Sequence, residues 1–157
     1  MTLFAKDVMV KNFESIHMNA PVEDAVQLIL NSKLRKTGHK TRSLMVVDDL
    51  RRLSGVITMF GILYHFRPDF LNCWINCEDL QWEGQLKILL EKLKKKKVHQ
   101  IMSPNVVGVS LNDHLMVILD RMIKNKYHRL PVLENGKLIG VVYISDIYYF
   151  LFSGKPV

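Results

Sequence analysis

His128, Arg129 and Asp146 are the residues whose types invite a charged or polyhydroxyl ligand. The Arg129 guanidinium can meet a phosphate through two parallel N–H bonds, and a protonated His128 adds a donor beside it. Asp146 follows Ser145 where an apolar helix is about to begin, and a carboxylate there also serves the free N–H groups of the first turn. Thr58 ends a strand-like run in the first half and offers a hydroxyl, although a β-branched residue suits a strand end without any ligand.

The other reactive side chains have no partners at working spacing. Cys73 and Cys77 sit four apart beside Trp74, with no further Cys or His at ligand spacing. They read as half-buried packing thiols, and no metal site is expected. Nothing in the placement of Cys73, Cys77, His65 and His99 joins a nucleophile to a base and an orienting group, so no catalysis is expected. The cations gather in Lys92, Lys94-Lys95-Lys96-Lys97 and in Lys33, Arg35, Lys36, Lys40 and Arg42. No reader helix, zinc motif or aromatic platform accompanies them, which argues against nucleic acid as the partner.

These side chains must be held by a core, and the composition permits one. The 157 residues carry 22 Lys+Arg against 15 Asp+Glu, for a net charge of +7, while 48% are hydrophobic and 24% charged. A chain of this length buries roughly two-thirds of its unfolded surface, so one unit folds without disulfides. The longest apolar run, 138–152, is too short for a bilayer of about 30 Å and is broken by Asp146. The first seven residues lack a signal-peptide pattern, so no membrane span and a cytoplasmic location are expected.

The elements come as a repeat. Asp7-Val8-Met9 aligns with Gln100-Ile101-Met102, and Val22, Ala25, Val26 and Ile29 then fall on Leu115, Ile118, Leu119 and Met122. Spacings of three and four place each set on one helical face. Asn19 and Asn112 are placed to cap these helices. Each helix precedes a strand-like run, Leu44-Met45-Val46-Val47 or Leu130-Pro131-Val132-Leu133, then a turn and another apolar run. Asn135-Gly136 predicts a type I′ hairpin turn, and residues 48–52 form the longer turn of the first copy. Second helices are predicted over residues 59–66 and 144–152.

The unit is therefore β-α-β-β-α, used twice. Its small sheet keeps one apolar face that its own helices do not cover, and two copies can cover each other. The expected class is α/β (α+β), with two repeats related by a pseudo-two-fold axis and small mixed sheets packed against helices. The first repeat is placed at residues 1–66 with an insertion near 33–40, the second at 99–157. Between them, 67–98 links the copies through a helix near 84–96, read from Leu86, Leu89, Leu90 and Leu93.

The second copy contains Ile101-Met102-Ser103-Pro104, Asn125-Lys126-Tyr127-His128-Arg129-Leu130-Pro131-Val132 and Gly140-Val141-Val142-Tyr143-Ile144-Ser145-Asp146-Ile147. It resembles a cystathionine β-synthase (CBS) domain. With Asp7-Val8-Met9 and Gly55-Val56-Ile57-Thr58 in the first copy, the chain resembles a CBS pair, or Bateman module. The resemblance implies a regulatory module without catalysis and with no required cofactor. It implies binding of an adenosine nucleotide (AMP, ADP, ATP, with or without magnesium, or a related adenosyl compound) between the repeats, and energy sensing signalled in trans to a client protein. It also implies a homodimer formed through the CBS helices. Carried over by residue, Asp146 meets the ribose hydroxyls, and His128-Arg129 meets phosphate, as in the similar Asn-Lys-x-His-Arg-Leu-Pro-Val stretch of AMP-activated kinase gamma subunits. Pro131, Val106 and Val107 line the base, and Tyr143 stands where the family has a hydroxyl. Thr58 is the weak counterpart in the first copy, which has Gly61 at the aspartate position. The alternative reading is a ligand-free dimerisation or interaction module with degenerate clefts.

Overall fold

Apolar residues three and four apart wind into α2 (Val22–Leu30) and α6 (Leu115–Asn125), which bury Val22, Ala25, Leu115, Ile118 and Met122. This computed structural model describes residues 3–32, 42–68, 70–71 and 82–154; the expected insertion at 33–40 and both cysteines lie outside them. Around the two helices come α1 (Ala5–Val8), β1 (Ser15–His17), β2 (Ser43–Val47), β3 (Leu53–Thr58), α3 (Met59–Phe66), α4 (Gln85–Lys94), α5 (Val98–Ile101), β4 (Val109–Ser110), β5 (Arg129–Glu134), β6 (Lys137–Tyr143) and α7 (Ile144–Ser153).

Each half builds one three-stranded sheet, ordered β1-β2-β3 or β4-β5-β6, whose first pair is parallel and second antiparallel. Asn135 and Gly136 both take positive φ, 53° and 78°, as a tight turn between β5 and β6 requires. In the first half the wider turn is held by Asp48, whose Oδ1 accepts from the Leu50 and Arg52 N–H groups, each at 2.9 Å.

Alternation along the strands, shifted by one residue at an irregularity in each antiparallel pair, sorts side chains into three clusters. Leu44, Val46 and Ile57 pack under α2, and Leu130, Val132 and Val142 under α6. The opposite faces contribute Met45, Val47, Leu138 and Val141, which fill the space between the two sheets with Phe13, Leu53, Val56, Leu133 and Tyr143 against them. Each half therefore covers the apolar face that the other leaves open, at about 1.5–3 kcal/mol for every large side chain fully buried.

The short helices are exchanged between the halves. Ala5 and Val8 of α1 belong to the core of the second half, while Val98 and Ile101 of α5 belong to that of the first. Backbone bonds fix the exchange: Ala5 N–H donates to Asp113 C=O at 2.9 Å and Val98 N–H to Ala20 C=O at 2.8 Å. Beyond the helices, Val10 and Val141 exchange two bonds at 2.8 and 3.0 Å, and Ser103 and Val56 do the same at 2.8 and 3.0 Å. The approach is close because Gly140 and Gly55 have no side chains; a Cβ on Gly140 would lie 2.7 Å from Met9 Sδ, and one on Gly55 2.6 Å from the Ser103 carbonyl oxygen.

This exchange moves the helix starts. Asn19 and Asn112 do not cap; α2 begins after Pro21, and α6 after His114, whose Nδ1 accepts from Met116 N–H at 3.0 Å. Both asparagines sit in turns, closed by Ala20 N–H to His17 C=O at 3.0 Å and Asp113 N–H to Ser110 C=O at 3.1 Å; Pro21 is then bridged to Lys97 and His114 to Phe4, and the helices wind only after these bridges.

Candidate functional site

The end of the second sheet farthest from its hairpin turn gathers most of the candidate residues. Arg129 opens β5 and lies directly opposite Tyr143, the last residue of β6, and Pro131 lies opposite Val141. Because Leu133 and Val141 belong to the inter-sheet cluster, the same strand faces direct Arg129, Pro131 and Tyr143 toward the space between the halves. The strand turns into α7 at once, and Ile144 N–H donates to the His128 carbonyl at 2.9 Å. That bond ties the His128-Arg129 backbone to the first turn of α7, which carries Asp146.

The environments differ sharply along this end. Asp146 is fully buried, at 0% exposure, in the first turn of the helix, where the unpaired N–H ends favour a carboxylate. Pro131 is buried, Arg129 is half-buried, and His128 is exposed. Tyr143 is half-buried and packs its ring against the inter-sheet cluster of Met45, Val47, Leu138 and Val141. It supplies no side-chain cap to α7. A hydroxyl-bearing residue of smaller size at this place would leave the space open; the ring fills it.

Two segments flank this end, one along the outer edge of β6 and one leading into β4. Met9 lies against Gly140, and Val10 is bridged to Val141, so Met9-Val10 runs along the free edge of β6, two residues from Tyr143. Val106 and Val107 follow Ser103, which is bridged to Val56 in the first sheet, and lead into Gly108, which lies beside Pro131 C=O and Leu133 on the β4 side of the same strand. Val106 is half-buried and Val107 exposed. Met9 and Val10 were thus missed from sequence. The available signal was the glycine at the same place in both β3 and β6, which marks a close backbone approach.

The matching end of the first sheet is chemically different. Thr58 lies opposite Ser43 and caps α3, its Oγ1 accepting from Gly61 N–H at 2.8 Å. Met59 N–H donates to Arg42 C=O at 2.9 Å, repeating the Ile144–His128 bond. Gly61 occupies the place of Asp146, so the carboxylate of the second half has no counterpart at this position. The structure therefore brings Arg129, Pro131, Tyr143, His128 and Asp146 to one end, and leaves Thr58 in the other half. Among the described residues no three His, Cys, Asp or Glu side chains converge as metal ligands. No helix among them is long and apolar enough to cross a membrane.

The family model for the CBS domain matches residues 5–67 and 98–153. The chloroplastic CBS domain-containing protein CBSX2 of Arabidopsis thaliana is 27% identical over 145 residues, covering 84% of this chain and 56% of that protein. A crystal structure of CBSX2 in complex with AMP superposes with a TM-score of 0.68 at 22% identity, covering 96% of each chain. The CBS domain pair of protein MJ0100, in complex with 5′-methylthioadenosine and S-adenosyl-L-methionine, superposes with a TM-score of 0.68 at 20% identity over 99% of this chain and 100% of that one. A zinc metalloprotease of Methanocaldococcus jannaschii, MJ0392, is 44% identical over 55 residues, 35% of this chain and 16% of that protein. The chain spans less than two-thirds of the length of these curated relatives.

Proposed function

Because this chain belongs to the CBS domain family, we propose that it is a regulatory module, with repeats at 1–66 and 99–157 joined by 67–98, that binds an adenosine-containing ligand at the β5/β6 end. The observation that carries the reading is the buried Asp146 carboxylate in the first turn of α7, one strand end away from the facing pair Arg129 and Tyr143. A carboxylate accepts two bonds from a vicinal diol, as a ribose provides, and Arg129 with His128 takes the phosphate. Pro131, Val106 and Val107, with Met9 and Val10 across the β6 edge, supply the apolar walls for the base. The AMP bound by CBSX2 and the adenosyl ligands bound by the MJ0100 pair support the ligand class. Occupancy is signalled to a client in trans, without catalysis. A homodimer forms through α3 and α7, where Phe60 and Phe152 are 79% and 76% exposed beside Leu63 and Tyr148.

A second reading, a ligand-free interaction module, is favoured by the Tyr143 ring packed into the inter-sheet space and by Gly61 at the other end. Thermal unfolding of the full chain and of Asp146→Asn against AMP, ADP, ATP and S-adenosylmethionine, with and without magnesium, separates the two. Ligand at a hundredfold excess over Kd adds about 2.7 kcal/mol, which raises the midpoint of a chain this long by about 5–10 °C. The rise should be selective and should shrink in Asp146→Asn. A flat response throughout the panel establishes the second reading, and an equal rise in both proteins removes Asp146 from the site.

A further inference from the structure

On the outer side of the first half, away from the inter-sheet ends, an open groove of about 480 Å³ runs between β1 and α2. Ser15 and Leu28 line its floor, and Glu14, Asp24, Gln27 and Asn31 its rim. The repeat alignment that carries Val22 onto Leu115 also carries Ser15 onto Gly108, Leu28 onto Arg121 and Asn31 onto Lys124.

In the second half this strand edge is served by one of the chain's own cations, with a second beside it on the helix. Arg121 Nη1 donates to the Gly108 carbonyl at 3.1 Å, and Lys124 pairs with Asp120 at 2.9 Å one turn along. In the first half both cations are missing, because Leu28 has no donor and Asn31 no charge. The acids have been rearranged at the same time: Glu14 and Asp24 stand where the second half has Val107 and Val117, while Gln27 stands where it has Asp120. His17 does not replace the lost cations. Its Nδ1 accepts from Asn19 N–H at 3.1 Å, so the ring proton sits on Nε2 and goes to Asp49 Oδ1 at 2.6 Å. The groove is thus the Arg121 seat with its guanidinium removed and with two carboxylates, Glu14 and Asp24, in exchange for one, on a chain whose net charge is +7.

We propose that this groove binds a guanidinium group from outside the chain, placed against the Ser15 edge as Arg121 is placed against Gly108 and paired with Glu14 and Asp24. A planar guanidinium with five donors meets a backbone oxygen and two carboxylates together, which a compact ammonium does less well. The group can come from a small molecule or from an arginine on a partner polypeptide, and the chemistry of the seat is the same for both.

The test is an amide NMR titration of the full chain with agmatine, with acetyl-Ala-Arg-Ala-amide and with cadaverine. Two variants accompany it. Leu28→Arg refills the seat from within, and Glu14→Gln with Asp24→Asn removes the carboxylates; a thermal melt of each establishes that it is folded. Guanidinium ligands should shift the amides of Ser15, Ile16, His17 and Asn31 in the unaltered chain. Losing one charge-assisted bond should weaken binding by about tenfold or more in either variant. Tighter binding of the peptide assigns the seat to a partner's arginine, and tighter binding of agmatine to a small molecule. Absence of shifts in the groove, an equal response to cadaverine, or a response that persists in Leu28→Arg overturns the proposal.

Discussion

Gly55→Ala should destabilise the protein far more than Gly140→Ala, although the two glycines occupy the same place in the two halves. A Cβ at Gly55 would lie 2.6 Å from the Ser103 carbonyl oxygen and 2.8 Å from Met102 Sδ. A Cβ at Gly140 would meet only the Met9 side chain, with Sδ at 2.7 Å and Cγ at 3.1 Å. A methionine can turn away for about 1 kcal/mol of rotamer strain. The Ser103 carbonyl cannot move without weakening both Ser103–Val56 bonds, which contribute about 1 kcal/mol each, and the residual crowding costs about 1 kcal/mol more. That gives about 3 kcal/mol for Gly55→Ala and about 1 kcal/mol for Gly140→Ala. The entropy that alanine removes from the unfolded chain is common to both and leaves the difference intact. For this chain length the midpoints should fall by about 6–12 °C and about 2–4 °C. Urea and thermal unfolding followed by circular dichroism measure both. Met9→Ala should relieve most of the Gly140→Ala penalty, and Met102→Ala should relieve little of the other. Equal stability of the two glycine variants, or full rescue of Gly55→Ala by Met102→Ala, would refute the reasoning.

Three further outcomes follow from the same geometry. Thr58→Ala removes the acceptor for Gly61 N–H and should cost about 1 kcal/mol in urea unfolding, whereas Thr58→Ser should retain most of it. Tyr143→Thr empties the space now filled by the ring and gives α7 the cap that α3 already has; the thermal midpoint should fall by a few degrees for the lost packing. AMP affinity measured by calorimetry should rise by about tenfold as the cleft opens, and an unchanged affinity would show that the ring does not obstruct it. Gly136→Ala places a Cβ at φ 78° and should cost about 1 kcal/mol, read as a lower urea midpoint at unchanged slope.

Much of the candidate end was legible because its parts are local. The hairpin follows from Asn135-Gly136, although that turn alone would set Val142 opposite Arg129 and a one-residue register shift at Val132/Leu133 brings Tyr143 there instead; Asp146 falls in the first turn of the helix that follows the strand without a gap. The wall across the β6 edge was not legible. That Met9-Val10 joins the β6 edge opposite Val106-Val107 depends on contacts with the distant half, and no spacing within the segment carries that information.

The same division holds for the whole chain. Sequence alone determined the duplication, because the two copies align residue by residue, and it determined the amphipathic helices α2 and α6, both hairpins, and helices α3 and α7, since each of these elements rests on a period or a turn readable within about fifteen residues. Tertiary structure decided the exchange of α1 and α5, because a helix of four residues shows no period and is held by contacts with the distant half. It also decided the helix starts, where the bridges Pro21–Lys97 and Phe4–His114 override the capping preference of Asn19 and Asn112. Finally, it decided that Leu28 and Arg121, equivalent by sequence, leave a groove in one half and a filled seat in the other, since only the folded edge shows which carbonyl a side chain reaches.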